Sequence, residues 1–171
     1  MEASGTTAFV SVSEYLSMSH EPDCDYVDGV LLERHVGEKD HSKIQKKLLV
    51  YFGAREKDWN IFVIQEQRIR ISPTRFRIPD LCVYLGPEPA EQVFTTPPFL
   101  CIEILSPEDR MSRMLEKIRD FLAFGVSYVW VIDPQARLAE VYTTAGSRLV
   151  TEGVLETSRP EISVSLSELF D

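Results

Sequence analysis

The sequence predicts a mixed α/β fold, a central mixed sheet flanked by helices with peripheral antiparallel hairpins. Three observations lead there. Two apolar runs, Leu81–Leu85 and 99–102, have the length and composition of buried strands. A helical pattern follows the second run and a third apolar run at 127–132 follows the helix, so strand, helix and strand form a βαβ unit with a right-handed crossover. The tail then alternates at 138–142 and 148–151, as antiparallel hairpins do, before a short helix near 166–170.

The elements follow in order. Ser11 and Glu14 make a capping box that opens a short helix to about Met18, and Asp28-Gly29 is a hairpin turn between 26–27 and 30–33. A basic amphipathic helix runs from Asp40, its N-cap, to about Glu56, with Ile44, Leu48, Tyr51 and Phe52 facing the core. Residues 61–65 and 68–71 read as one strand or a bulged pair, and 86–98, with Pro89 and the pair Pro97-Pro98, reads as loop. Ser106 as N-cap, Pro107, Asp109 and the terminal Gly125 predict a helix over about 107–124. Its apolar stripe is Met111, Met114, Leu115, Ile118, Phe121 and Leu122.

Candidate site residues emerge from strand pairing. If the two apolar runs pair antiparallel across the proline-rich loop, with Leu85 opposed to Pro98, then Cys82 faces Cys101 and Asp80 faces Glu103. Opposed residues share a face, about 5 Å apart at Cβ, so one hard cation can be shared between the two carboxylates. A slip of one residue would destroy the pair. On the following helix Lys117 lies roughly 100° from the centre of the apolar stripe, where a lysine packs its stem and aims its amine. A helix folding back over the sheet brings it level with Glu103. Two acids, a lysine and a divalent metal are the parts needed to hydrolyse a phosphodiester. His41 falls on the apolar face of its helix in the first turn, where it serves as a core histidine, a phosphate binder or an orienter of another group.

With Asp25-Tyr26-Val27-Asp28-Gly29, His41, Arg77-Ile78-Pro79-Asp80, Glu103-Ile104-Leu105-Ser106-Pro107, Glu116-Lys117, Phe124-Gly125-Val126 and 128–134 in place, the chain resembles the PD-(D/E)XK, or restriction-endonuclease-like, nuclease superfamily. Within it the chain is similar to the bacterial Uma-two family of restriction-endonuclease-like proteins. The resemblance spans most of the chain and implies a divalent-metal-dependent endonuclease acting on nucleic acid, with DNA as the expected substrate. It implies Mg²⁺, or Mn²⁺, held by Asp80, Glu103 and the carbonyl of Ile104, with Asp25 as a further ligand, and catalysis by Asp80, Glu103, Lys117 and His41. Where the superfamily commonly has its lysine two residues after the second acid, this chain has Leu105, and the lysine has moved to Lys117 as the Uma-two family implies. Asp25 stands where the family usually has glutamate. Arg113 stands where it usually has an acid four residues before the lysine, placing like charges one helical turn apart. That departure motivates an alternative function, an inactive or weakened member serving as a binding or dimerisation module, a reading compatible with a homodimer.

Composition bounds the rest. At 171 residues and 44% apolar the chain can bury one sizeable core, read as a single domain over 1–171. No apolar span suits a membrane and no signal-peptide core is visible, so a cytoplasmic location is expected. Three cysteines without CxxC spacing argue against a disulfide framework or a structural zinc. Net charge is −9, whereas nucleic-acid-binding domains are normally basic, so weak and salt-dependent binding is expected. Its candidate path is the cationic clusters, Lys43 and Lys47 among Lys39 to Lys47, the arginines 68, 70, 75 and 77, and Arg110 with Arg113. A carboxylate glycosidase is disfavoured by Lys117 and by the lack of an aromatic sugar platform near the acids. A small-ligand domain would show no metal site.

Overall fold

The computed structural model describes residues 8–171, and the alternation of side chains along its strands sets the architecture. In chain order the elements are α1 (Val12–Ser17), β1 (Asp25–Val27), β2 (Val30–Leu32), α2 (Lys39–Gly53), α3 (Glu56–Trp59), β3 (Ile61–Gln65), β4 (Ile69–Ser72), β5 (Arg75–Arg77), β6 (Leu81–Leu85) and β7 (Leu100–Ile104). Then come α4 (Met111–Phe124), β8 (Tyr128–Asp133), β9 (Leu138–Thr143), β10 (Gly146–Val150), β11 (Val154–Glu156), β12 (Ser163–Ser165) and α5 (Leu166–Phe170).

A six-stranded mixed sheet runs β10-β9-β8-β7-β6-β3, with only β7 and β8 parallel. Those two strands are joined through α4, as the βαβ pattern predicts. One face of the sheet, with Leu81, Val83, Leu100, Ile102, Trp130 and Ile132, packs on Ile44, Leu48 and Phe52 of α2 and on Leu166 and Leu169 of α5. The other face, with Cys82, Cys101, Val129 and Val131, packs on Met114, Ile118 and Phe121 of α4. Because both faces are covered, β7 and β8 are apolar at nearly every position. The fully buried Trp130 and Phe52 meet at a 42° tilt with a 6.5 Å centroid separation, and truncating either would cost about 3–5 kcal/mol.

A second sheet, ordered β2-β1-β5-β4, packs Tyr26 and Phe76 against Tyr15 of α1. The capping box at Ser11 and Glu14 is present, and α1 ends before Met18. Asp28 and Gly29 both have positive φ, +49° and +93°, the conformation a two-residue hairpin turn requires. At the end of α4, Gly125 takes φ +114° and closes the helix as its position predicts.

Three boundaries differ from expectation. Helix α4 begins at Met111 rather than at 107, because the Ser106 hydroxyl donates to the His35 carbonyl (2.8 Å) instead of capping. The Ser106 amide donates to Asp109 Oδ2 (2.7 Å) and the Asp109 amide to the Ser106 carbonyl, closing 106–109 as a turn. The basic helix spans Lys39–Gly53 with Glu38 at its N-cap, and the residues beyond form the separate turn α3. Residues 61–65 and 68–71 are neither one strand nor a bulged pair: Glu66, at φ +51°, turns the chain, so that β3 pairs β6 while β4 pairs β5 in the second sheet.

Candidate active site

Proline cannot donate a ladder hydrogen bond, and Pro79 separates β5 from β6, so the chain crosses from one sheet to the other at 78–80. Asp80 emerges from that crossing directly before β6. The β6–β7 register pairs Leu81 with Ile102, Cys82 with Cys101 and Val83 with Leu100. Carried one pair further, it sets Asp80 opposite Glu103 on the Cys82–Cys101 face that α4 covers, as the spacing predicts.

Asp80 is held on every side. Its Oδ2 accepts the Ile104 backbone N–H at 2.7 Å and stands 3.2 Å from His41 Nε2, while its Oδ1 accepts from Arg34 Nη2 at 3.0 Å. The Gln45 side chain, one turn after His41, donates to the Asp80 carbonyl at 3.1 Å. The first two turns of α2 therefore fix both the backbone and the carboxylate of Asp80.

Lys117 ties the remaining elements together. Its ammonium donates to the Ile78 carbonyl at 2.7 Å and lies 2.8 Å from Glu103 Oε1 and 3.4 Å from Asp25 Oδ2. Glu103 Oε1 is buried, and among the described residues the Lys117 ammonium is the cation that meets it. Lys117 is only 7% exposed, deeper than the border position expected of it, because the second sheet closes over this edge of α4.

Burial and charge set the protonation of the cluster. Burial alone would raise the Asp80 carboxyl, but His41 and then Arg34 outweigh it and hold Asp80 below its ordinary value. Burial likewise opposes an imidazolium at His41, yet Asp80 prevails and raises it. The Lys117 ammonium is destabilised by burial and more than restored by Asp25 and Glu103. Glu103 goes the other way: burial, helped by the negative charge of Asp80, pushes it up to about 8 against the pull of Lys117. Glu103 is thus the carboxyl of the cluster most ready to take up a proton, and a cation arriving beside it would displace that proton.

The expected residues divide into groups. Asp80, Glu103, Lys117, Asp25, Ile104, Arg110 and Arg113 line one cavity of about 90 Å³, and His41 stands behind Asp80 as an orienting group. Asp25, expected as a metal ligand, has both oxygens engaged: Oδ1 accepts the Ile78 N–H (2.9 Å), and Oδ2 meets Arg77 (3.3 Å) and Lys117. Its position orients the lysine. Lys43 and Lys47 are not brought to this cavity; they line a separate groove of about 590 Å³ between α2 and α5, where Lys47 binds the carbonyls of Glu168 and Asp171.

The arginines 68, 70, 75 and 77 do not form an open phosphate path either. Arg68 pairs with Asp23, Arg75 with Asp28 and Asp120, and buried Arg77 with Asp25 and Asp120. Among the described residues no group of three or more His, Cys, Asp or Glu side chains is arranged to hold a metal ion. Asp80 and Glu103 are the carboxylates that could hold one. They supply oxygen donors only, with Glu103 Oε1 met by Lys117 alone among the described residues, and hard divalent cations commonly take one or two carboxylates and complete their shell from water and phosphate.

Sequence reasoning missed Arg34 and Asp120. Arg34 follows β2 as a lone cation with no pattern to distinguish it. Asp120 stands three residues after Lys117, on a neighbouring part of the helix surface, and that spacing was the available signal.

Among the described residues no helix is long and apolar enough to cross a membrane. No curated protein matches the sequence. Among solved structures, the fold is similar to that of a putative nuclease belonging to DUF820 from Anabaena variabilis, with a TM-score of 0.82 and 23% identity over 94% of this chain and 97% of that one. The model of one sequence family, Uma2, described as putative restriction endonuclease, matches residues 12–170. With that match running from α1 to α5 and taking in every residue of the cluster around Asp80, the chain belongs to the Uma2 family.

Proposed function

We propose that the protein is a divalent-metal-dependent endonuclease that hydrolyses phosphodiester bonds in nucleic acid, with DNA as its expected substrate. The observation that carries this reading is the convergence of Asp80, Glu103 and Lys117, from two paired strands and the helix facing them, in one buried cluster at a cavity. Membership of a family described as putative restriction endonuclease supports the same reaction class.

Mg²⁺ or Mn²⁺ held by Asp80, Glu103 and the Ile104 carbonyl would supply a more acidic water and neutralise charge at the phosphate. The chain's own residues do the rest. His41, the Ile104 amide and Arg34 fix the Asp80 carboxylate, so that it is organised before substrate arrives. Asp25 and the Ile78 carbonyl aim the Lys117 ammonium at the Glu103 edge of the cavity, where it can orient the attacking water and offset negative charge growing on the phosphate. Arg110 and Arg113, exposed at the cavity rim, meet the phosphates on either side. With a net charge of −9, binding is weak and falls steeply with salt.

A second reading, a weakened or inactive member that binds without cutting, is favoured by one observation: Arg34, His41 and the Ile104 amide already engage both Asp80 oxygens. The test is incubation of supercoiled plasmid and single-stranded DNA with the purified protein in Mg²⁺ or Mn²⁺ and in EDTA. Cation-dependent nicking supports the nuclease. Binding without nicking in either metal supports the second reading.

A further inference from the structure

We propose that Arg34 is a phosphate-binding residue of this cavity, with its guanidinium divided between Asp80 and an oxygen of a substrate phosphodiester; the inference rests on the nuclease reading above. The Arg34 side chain is 6% exposed and lines the cavity. One of its terminal nitrogens, Nη2, is committed to Asp80 Oδ1 at 3.0 Å. The other, Nη1, is buried without a hydrogen-bond partner among the described residues.

A guanidinium presents donors in a rigid planar fork, so pinning Nη2 also fixes where Nη1 can be satisfied. A buried N–H on a full charge is unfavourable unless an acceptor meets it, and phosphate oxygens are acceptors that suit the fork. The other cationic side chains on the cavity wall, Arg77, Arg110, Arg113 and Lys117, favour an anion there as well. The acids Asp80 and Glu103, with Asp25, Glu33, Glu108 and Asp109 on the same wall, oppose an anion until a divalent cation offsets them. Arg34 would then couple the two events, holding Asp80 with one nitrogen and the phosphate with the other.

The experiment measures binding of a phosphorothioate duplex that resists cleavage, by fluorescence anisotropy in Ca²⁺ over a series of salt concentrations. It compares wild type, Arg34→Gln and Arg34→Lys, and titrates Mn²⁺ into each without the duplex. Arg34→Lys keeps a charge beside Asp80, and thus the fold, while losing the second arm of the fork. The proposal expects Arg34→Gln to weaken duplex binding roughly tenfold and lower the log-log salt slope by about one unit. It expects Arg34→Lys to weaken binding several-fold, and both variants to bind Mn²⁺ at least as well as wild type. Equal duplex affinity in wild type and Arg34→Gln, or full affinity in Arg34→Lys, overturns the role of Nη1 and leaves the nuclease reading standing. A wild-type protein that binds no duplex in Ca²⁺ overturns both.

Discussion

The Lys117 ammonium stands 2.8 Å from Glu103 Oε1, although the lysine lies in the middle of α4 and the acid near the end of β7. The turn at 106–109 and the start of α4 at Met111 set that meeting, because they return the helix over the strand it has just left. The same ammonium reaches Asp25 and the Ile78 carbonyl, so one side chain joins both sheets and the helix.

Lys117→Ala is expected to lower cleavage by about 10²-fold or more while leaving Mn²⁺ affinity close to wild type, since the amine acts on water and developing charge rather than as a ligand. The variant also loses melting temperature in EDTA, because Glu103 and Asp25 lose a buried cation, and Mn²⁺ recovers part of it. Single-turnover cleavage, calorimetry and thermal melts read the three quantities separately.

Stability in EDTA should fall as pH rises from about 4.5 to about 8. Glu103 is raised in the folded state, so over this window the folded protein retains a proton that the unfolded chain has released, and each rise in pH favours unfolding. His41, also raised, adds in the same direction above its ordinary value. Asp80 is lowered, so its contribution is lost only in strong acid. Saturating Mn²⁺ should flatten the neutral part of this curve and release a proton on binding near pH 7, measurable as a buffer-dependent heat. A melting temperature that climbs from pH 5 to 8 in EDTA would contradict this protonation scheme.

Removing Arg77 or Asp120 tests the scaffold. Arg77 is buried between Asp25 and Asp120, and Arg77→Met takes one cationic partner from each, leaving Lys117 on Asp25 and Arg75 on Asp120. A loss of about 3–5 kcal/mol is expected by chemical denaturation, with Asp120→Asn costing less because Asp25 still engages Arg77.

Much of this was legible in the chain. The β6–β7 register followed from two apolar runs and a proline-rich loop, and it located Asp80 and Glu103 together because a shared face depends only on period and pairing. The turn at Asp28-Gly29 and the stop at Gly125 were local and were read correctly. What could not be read depended on distant partners. Ser106 looks like an N-cap until His35 takes its hydroxyl, and 61–71 looks like one strand or a bulged pair until Glu66 turns and the two halves join different sheets. The arginines 68, 70, 75 and 77 look like a phosphate path until Asp23, Asp28, Asp25 and Asp120 pair with three of them from other elements. Arg34 carried no pattern at all.

Arg113→Asp places an acid one turn before Lys117, on the cavity wall where Arg113 now adds positive charge. Mn²⁺ affinity should rise several-fold, while duplex affinity should fall because a charge facing the phosphates is lost. Calorimetric titration of both proteins side by side checks the first effect without requiring turnover.

The most direct test is nicking of supercoiled plasmid by wild type, Asp80→Asn and Glu103→Gln, each in Mn²⁺ and in EDTA, with thermal melts to show that all three are folded. Wild type should nick in Mn²⁺ and not in EDTA, and each variant should lose at least about 10²-fold in rate. Equal nicking by wild type and Glu103→Gln, or nicking that persists in EDTA, would contradict a metal-dependent site built on Asp80 and Glu103.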